Sequence, residues 1–420
     1  MRSLHARWMM TGNGWLADAM VTIVGGRVFE VRGGVWPRPA QARPVDLLVP
    51  GMPDAHCHAF QHQIAGLAEG ASGSGDSFWT WRERMYEAVD LLSPERLRVE
   101  ATRAYRRLRA NGYTSVAEFH YVHHAGGAHP LESALALAEA ARSAGLRLLL
   151  LPVLYRRGGF GGEPLSDRQG AFALDPDAYG ALLAALAARA DAAFTLGVAP
   201  HSLRAVGADD LWRLMEIRAQ VVPGCPVHIH VSEQAAEVEA ARAHLGTTPI
   251  DWLCVHAPVD SSWTMVHATH ATGAELRELA RRGATVCVCT TTEANLGDGA
   301  FDIDAWWALG GGLAVGSDSN VGVDPAEELR WLEYQARLRK QRRALLVDAA
   351  SPHPGSALWR RAVAGGRRAF GIVQRGIEVG APAELLALTV DDPRTTPDEA
   401  MDDFVFARRA TRMLVEDARR

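Results

Sequence analysis

Lysine is almost missing from this 420-residue chain: Lys340, in "RLRKQRR", is the only one, so 43 of the 44 basic residues are arginine. Cysteine is scarce as well. The five present, Cys57, Cys225, Cys254, Cys287 and Cys289, are odd in number and have no C-x-x-C spacing, which argues against a disulfide frame and a zinc knuckle. They read as small apolar core residues. Positive charge is not in excess, and a net charge of -5 leaves no basic stripe for nucleic acid. The apolar runs are too short and interrupted to span a bilayer, and "MRSLHARWMMTGNGWLADAM" has neither the apolar core nor the cleavage site of a secretory signal. Low-complexity segments and sequence repeats are absent too. The expectation is a soluble cytoplasmic protein, a monomer or a small oligomer such as a homodimer, without nucleic-acid or membrane partners.

What is present is a large apolar inventory, 48% of residues, enough for one barrel-sized domain or two smaller ones. Strand-like runs recur at "DLLVPGMPDAHCH", "YTSVAEFHY", "RLLLLPVLY", "FTLGVAPHS", "PVHIHVSE", "WTMVHATH", "ATVCVCTTTEA" and "LAVGSDSN", most separated by helical stretches rich in Ala, Leu, Arg and Glu. Eight such units predict an α/β fold, a (β/α)₈ barrel over residues 51–364. An open doubly wound sheet should instead carry a glycine-rich phosphate turn after its first strand, and none is there. The ends read differently. Residues 1–50, with "VTIVGGRVFEVRGG", and 365–420, with "IEVGAPAELLALTVDD", hold short strands and turns that predict one small composite β-domain, a β-sandwich.

A barrel carries its chemistry where its strands end. Just before "DAHCHAFQ" the run "DLLVPGMP" reads as a buried strand closed by a Gly/Pro break, with His56 and His58 where it opens into a loop; two apart, both imidazoles share a face. The fifth strand ends in His230 and Glu233, the sixth in His267 and the eighth in Asp318. Any one of these is ordinarily a hydrogen-bonded strand-end residue; all of them on one rim is not ordinary. Imidazoles and a carboxylate can hold zinc and leave a position for water, with Glu233 close enough to shuttle protons. With the only lysine beyond the eighth strand, no carboxylated lysine is available to bridge two metals, so one zinc per chain is expected.

The stretches "HAFQ", "DSFWTWRERMY", "EFHYVHH", "APHSLRAV", "PVHIHVSEQ", "VHATH", "TTEANLGDG", "GSDS" and "EELRWLEY" together resemble the amidohydrolase superfamily, and within it the N-formimidoyl-L-glutamate deiminases of histidine degradation. The resemblance implies zinc held by His56, His58, His230 and Asp318. It implies Glu233 as general acid/base, with His267 and Asp318 acting on the water, and Gln61, Arg82, Tyr121, His201 and Arg204 around a substrate bearing carboxylates. The chemistry is coherent: such a substrate joins a cationic amidine to two carboxylates, and an arginine fork binds a carboxylate bidentately. Neither "WTWRERMY" nor "HSLRAV" reads as the helical surface where arginine usually sits. The chain departs from the family pattern at Thr290, where proline is usual, at Asn320, where histidine is usual, and in "QGAF" (Gln169 to Phe172), where "QRRF" is usual. Asn320 belongs either behind the ligands or in the substrate wall. Two alternatives remain: a related deaminase of another amidine, guanidine or ring, and a non-catalytic binding or scaffold protein on the same barrel, which should have lost metal ligands.

Overall fold

The computed structural model describes residues 1–70, 78–407 and 413–416. Eight parallel strand positions follow one another with helices between most of them: β1 (Met52–Cys57), β2 (Tyr113–His120), β3 (Arg147–Leu154), β4 (Phe194–Leu196), β5 (Val227–Val231), β6 (Trp263–His267), β7 (Thr285–Val288) and β8 (Gly312–Val315). The first four pair in order, as do the last four. Single bridges, Val198 to Val227 and Cys57 to Asp318, join the two sheets at both seams, which is the strand order of an eight-stranded barrel. Every residue of β1, β2, β5, β6 and β7 is buried, which explains why these strands read as apolar runs rather than as alternating patterns.

The intervening helices start and stop on local chemistry. Ser93 accepts from the Arg96 N–H at the head of helix Pro94–Ala110, and Thr272 and Glu275 cap Gly273–Arg282 reciprocally. Gly145 closes Pro130–Ala144 in the left-handed conformation. Among the described residues no helix is long and apolar enough to cross a membrane.

Both chain ends meet in one mixed sheet, in the order Met413–Glu416, Leu385–Leu388, Arg43–Pro50, Arg2–Thr11, Gly14–Val24, Arg27–Arg32. It has its own apolar cluster, including Leu4, Met9, Val21, Leu48 and Leu385. Where the sequence predicted a sandwich, the described strands form a single six-stranded sheet, because Arg43–Pro50 pairs with the amino-terminal strand on one edge and with Leu385–Leu388 on the other. Helix Pro354–Ala369 runs through residue 365 and packs on β1 and β8.

One strand differs from its sequence reading in a way that matters for the site. The run from Asp46 is two strands: Arg43–Pro50 lies in the small sheet, and β1 begins after Gly51. A Cβ at Gly51 would overlap the Thr114 side chain, so only glycine lets the chain cross there. His56 therefore sits inside β1, not in a loop, and His58 stands one residue beyond its end.

Candidate active site

The strand ends on one rim are locally strained. Ser232 (φ 51°), His267 (φ 69°), Ala268 (φ 51°), Asp318 (φ 46°) and Asn320 (φ 61°) all adopt the left-handed backbone that non-glycine residues avoid. Such conformations persist where the surroundings over-determine them, which is common at functional sites. Of these, His267 and Asp318 line the pocket at the barrel mouth. In-register pairing of Val231 with His267 sets the ends of β5 and β6 side by side, and the Asp318 N–H donates to the His56 carbonyl across the seam at 2.9 Å.

His56, His58, His230 and Asp318 converge on one point. The His56 Nε2 lies 3.1 Å from that of His58 and 3.0 Å from that of His230. Asp318 Oδ1 lies 3.4 Å from His56 Nε2 and 3.3 Å from His58 Nε2. Ligands each about 2.05 Å from a tetrahedral zinc stand about 3.3 Å apart, so these spacings fit one ion. The outer nitrogens support the same reading. His58 Nδ1 faces the Phe119 carbonyl at 3.0 Å and His230 Nδ1 the His201 carbonyl at 3.2 Å, so donation there leaves both Nε2 lone pairs pointing inward. Burial keeps the imidazoles neutral, pushing His56 down to about 3 and lowering His58 and His230. Burial is the largest single influence on the Asp318 carboxyl and raises it, but the hydrogen bond with His56 together with the charges of His56, His267 and His58 outweighs burial and holds it below the ordinary carboxylate range.

His267 stands one step back. It shares a wider group with His56, His230 and Asp318, all within 4.8 Å, but its Nε2 is 4.0 Å from Asp318 Oδ2. Two nitrogen or oxygen ligands of a single zinc cannot be more than about 4.1 Å apart, and then only on opposite sides of it. His267 instead faces Glu233 at 3.7 Å with Nε2 and Glu293 at 3.2 Å with Nδ1. Burial lowers its pKa, yet these carboxylates overcome burial and raise it well above the usual histidine value. Burial, followed by the nearby Asp318 charge, lifts Glu233 to about 7 against the opposing pull of His267.

The remaining candidates line one pocket over this centre. Gln61 donates to the Tyr121 hydroxyl at 2.9 Å, and its Oε1 is buried without a partner among the described residues. His201, Arg204, Arg82 and Tyr121 complete the polar lining. Arg82 lies on a helix after all, Phe78–Asp90, but on a half-buried face turned to the pocket. Asn320 is not in the pocket wall: buried behind the ligands, it donates to the His58 carbonyl at 3.1 Å and the Asp318 carbonyl at 3.0 Å, tying two ligand-bearing segments together.

Sequence reasoning missed several participants. Trp81, Met85 and Tyr86 share the Arg82 helix face, and Tyr155 and Phe172 add aromatic walls. The spacing within "WTWRERMY" could have shown that face. Glu293, inside "TTEANLGDG", and Glu118, which accepts from Ala59 N–H at 3.1 Å and from the Tyr105 hydroxyl at 2.9 Å, resemble any helix or strand glutamate in sequence.

Residues 47–412 match the Amidohydrolase family model. The formimidoylglutamate deiminase of Pseudomonas aeruginosa is 45% identical over 368 residues, covering 86% of this chain and 81% of the relative. The 5-methylthioadenosine/S-adenosylhomocysteine deaminase of Halobacterium salinarum is 26% identical over 354 residues, 84% of this chain and 75% of the relative. Among solved structures, an amidohydrolase from Brucella melitensis superposes with a TM-score of 0.93 at 39% identity, covering 98% of this chain and 92% of its own. A zinc-bound adenosine deaminase from Xanthomonas campestris, 23% identical with a TM-score of 0.77 over 96% of this chain and 88% of its own, shares the fold. With the ligand-like cluster at the ends of its barrel strands, this chain belongs to the amidohydrolase family.

Proposed function

We propose that this chain is a zinc-dependent deiminase that hydrolyses N-formimidoyl-L-glutamate to N-formyl-L-glutamate and ammonia, a step of histidine degradation, in the cytoplasm. The observation that carries the reading is a pocket with two poles. Arg82 and Arg204 stand in the same lining as His58, His230, Glu233, His267 and Asp318, so carboxylates and a cationic amidine each have an opposite charge to meet. The 45% identity to a formimidoylglutamate deiminase supports the same substrate. The net charge of -5 favours no nucleic-acid partner, and the expected partner is the small dicarboxylate itself.

His56, His58, His230 and Asp318 hold the zinc in this reading, and its contribution when bound is to lower the pKa of water so that hydroxide forms near neutral pH. Glu233 takes the water proton as the oxygen adds to the formimidoyl carbon. It then returns the proton to the amidine nitrogen; as the C–N bond breaks, the ionised Glu233 takes the remaining hydroxyl proton and passes it to the departing ammonia, which leaves as ammonium, and the carbonyl of the N-formyl group remains. His267, fixed from behind by Glu293, orients the attacking water and balances the charge that Glu233 gains and loses. Arg82 and Arg204 pair with the two carboxylates, while Gln61, Tyr121 and His201 supply hydrogen bonds to the substrate.

A second reading has one observation in its favour. The aromatic walls of Trp81, Tyr86, Tyr155 and Phe172 would suit a planar ring, as in a ring deaminase. Against it, a neutral ring offers no carboxylate to Arg82 or Arg204. A non-catalytic role is disfavoured by a complete ligand set. The test is ammonia release by protein of measured zinc content from N-formimidoyl-L-glutamate, simple formamidines, guanidines and purines. The proposal expects turnover concentrated on the dicarboxylate, and a purine turned over faster would replace it.

A further inference from the structure

Glu233 is followed four residues later by a second buried carboxylate, Glu237, in the first turn of helix Ala235–Leu245. Glutamate at that position of a helix ordinarily folds back to the backbone N–H of the capping residue. Here the capping residue is Gln234, and Glu237 reaches past it. Its Oε1 accepts from the Ser232 N–H at 3.2 Å and its Oε2 from the Glu233 N–H at 2.9 Å. Ser232 has a φ of 51°, a backbone that serine does not hold unaided. From the other side the Ser232 carbonyl accepts from the His270 N–H at 3.0 Å. The turn that follows β5 is therefore gripped between the end of β6 and one carboxylate.

We propose that Glu237 is a positioning residue: its two hydrogen bonds lock the left-handed turn that aims Glu233 at His267, 3.7 Å away, and at the metal-side carbon of the substrate. The inference rests on the deiminase reading, in which Glu233 moves the proton. A glutamine at 237 keeps the size but offers one acceptor, and its amide N–H groups face the second backbone donor. An aspartate keeps the charge but is one methylene short. Either change lets the turn relax while leaving every ligand, Glu233 itself and the arginines in place.

The test uses zinc-loaded Glu237→Gln, with Glu237→Asp as the second variant if the first folds poorly. On N-formimidoyl-L-glutamate, kcat should fall about tenfold to a hundredfold, the scale of a small misplacement of a catalytic group, with KM nearly unchanged and zinc content equal to the parent. Added to Glu233→Gln, the same change should cost nothing more, because it acts through Glu233. A crystal structure of the variant should show the Glu233 carboxylate withdrawn from His267. That last readout stands apart from the substrate: a parent enzyme inactive on this compound would sink the deiminase reading and leave the positional claim testable. An unmoved Glu233, a loss of thermal stability with kcat intact, or a fully additive loss in the double variant would each make Glu237 a helix cap and nothing more.

Discussion

Replacing Arg204 by methionine tests the pole of the pocket that sets specificity. Arg204 is half-buried in the pocket lining and, among the described residues, its guanidinium has no hydrogen-bond or ion-pair partner. Its removal breaks no hydrogen bond among the described residues, although its charge also acts on Glu237 and Glu233, and the fold and zinc content should be unchanged. In the substrate complex the same change strips a bidentate, charge-assisted contact from a carboxylate already taken out of water. Truncating one partner of such a pair costs roughly 2–5 kcal/mol, or about thirtyfold to several-thousandfold in kcat/KM. Lysine should recover part of this, because a point charge restores attraction but not the planar fork. The assay is kcat/KM for N-formimidoyl-L-glutamate and for a neutral formamidine, with parent and both variants. The neutral compound should be poor with the parent and nearly indifferent to the change. An equal loss on both compounds would refute the clamp and assign Arg204 a structural role.

Arg82→Met should behave similarly on the dicarboxylate, and a substrate lacking one carboxylate should become insensitive to one of the two arginine changes but not to both. Glu233→Gln should retain its zinc while losing turnover by roughly a hundredfold or more; metal and activity vanishing together would make Glu233 a ligand. Glu328 supplies a pH prediction away from the ligands. Burial lifts it to about 8 although Thr290 and Thr291 donate to it, so the folded state holds a proton there that the unfolded chain releases near its ordinary 4.5. Because the native state binds the extra proton, the Glu328 contribution to stability should be fully present below that value and be lost as pH rises towards 8. Glu328→Gln should flatten that slope in denaturant titrations across the window, and identical slopes would count against a protonated Glu328.

The residues that bring the chemistry to the rim were legible because they break a pattern: histidines in apolar strands, an aspartate after "AVGS", a glutamate three residues past His230. The eight-unit rhythm was legible for the same reason, since parallel strands buried on both faces read as apolar runs. The switch at Gly51 was not, because nothing local distinguishes one strand crossing between two sheets from a strand with a break. Arg82 was misjudged for a related reason: its helix exposes one face to solvent and another to a pocket, and arginine is common on the first. Glu237, Glu293 and Glu118 were invisible because their roles depend on reaching the backbone or a ring across the fold. Asn320 stood out as a departure from the family, but only the geometry assigns it to the seam between the His58 and Asp318 segments instead of to the substrate wall.

The most direct test of the account is a zinc titration of metal-stripped protein, scored by ammonia released from N-formimidoyl-L-glutamate. His56, His58, His230 and Asp318 form one ligand set in this reading, and the only lysine, Lys340, is exposed at the end of helix Pro325–Lys340 and faces Asp304. Release should therefore rise with added zinc and level off at about one equivalent per chain. A rise that continues to two equivalents would contradict the single-ion centre, and a fully zinc-loaded protein that releases no ammonia from this compound would contradict the proposed reaction.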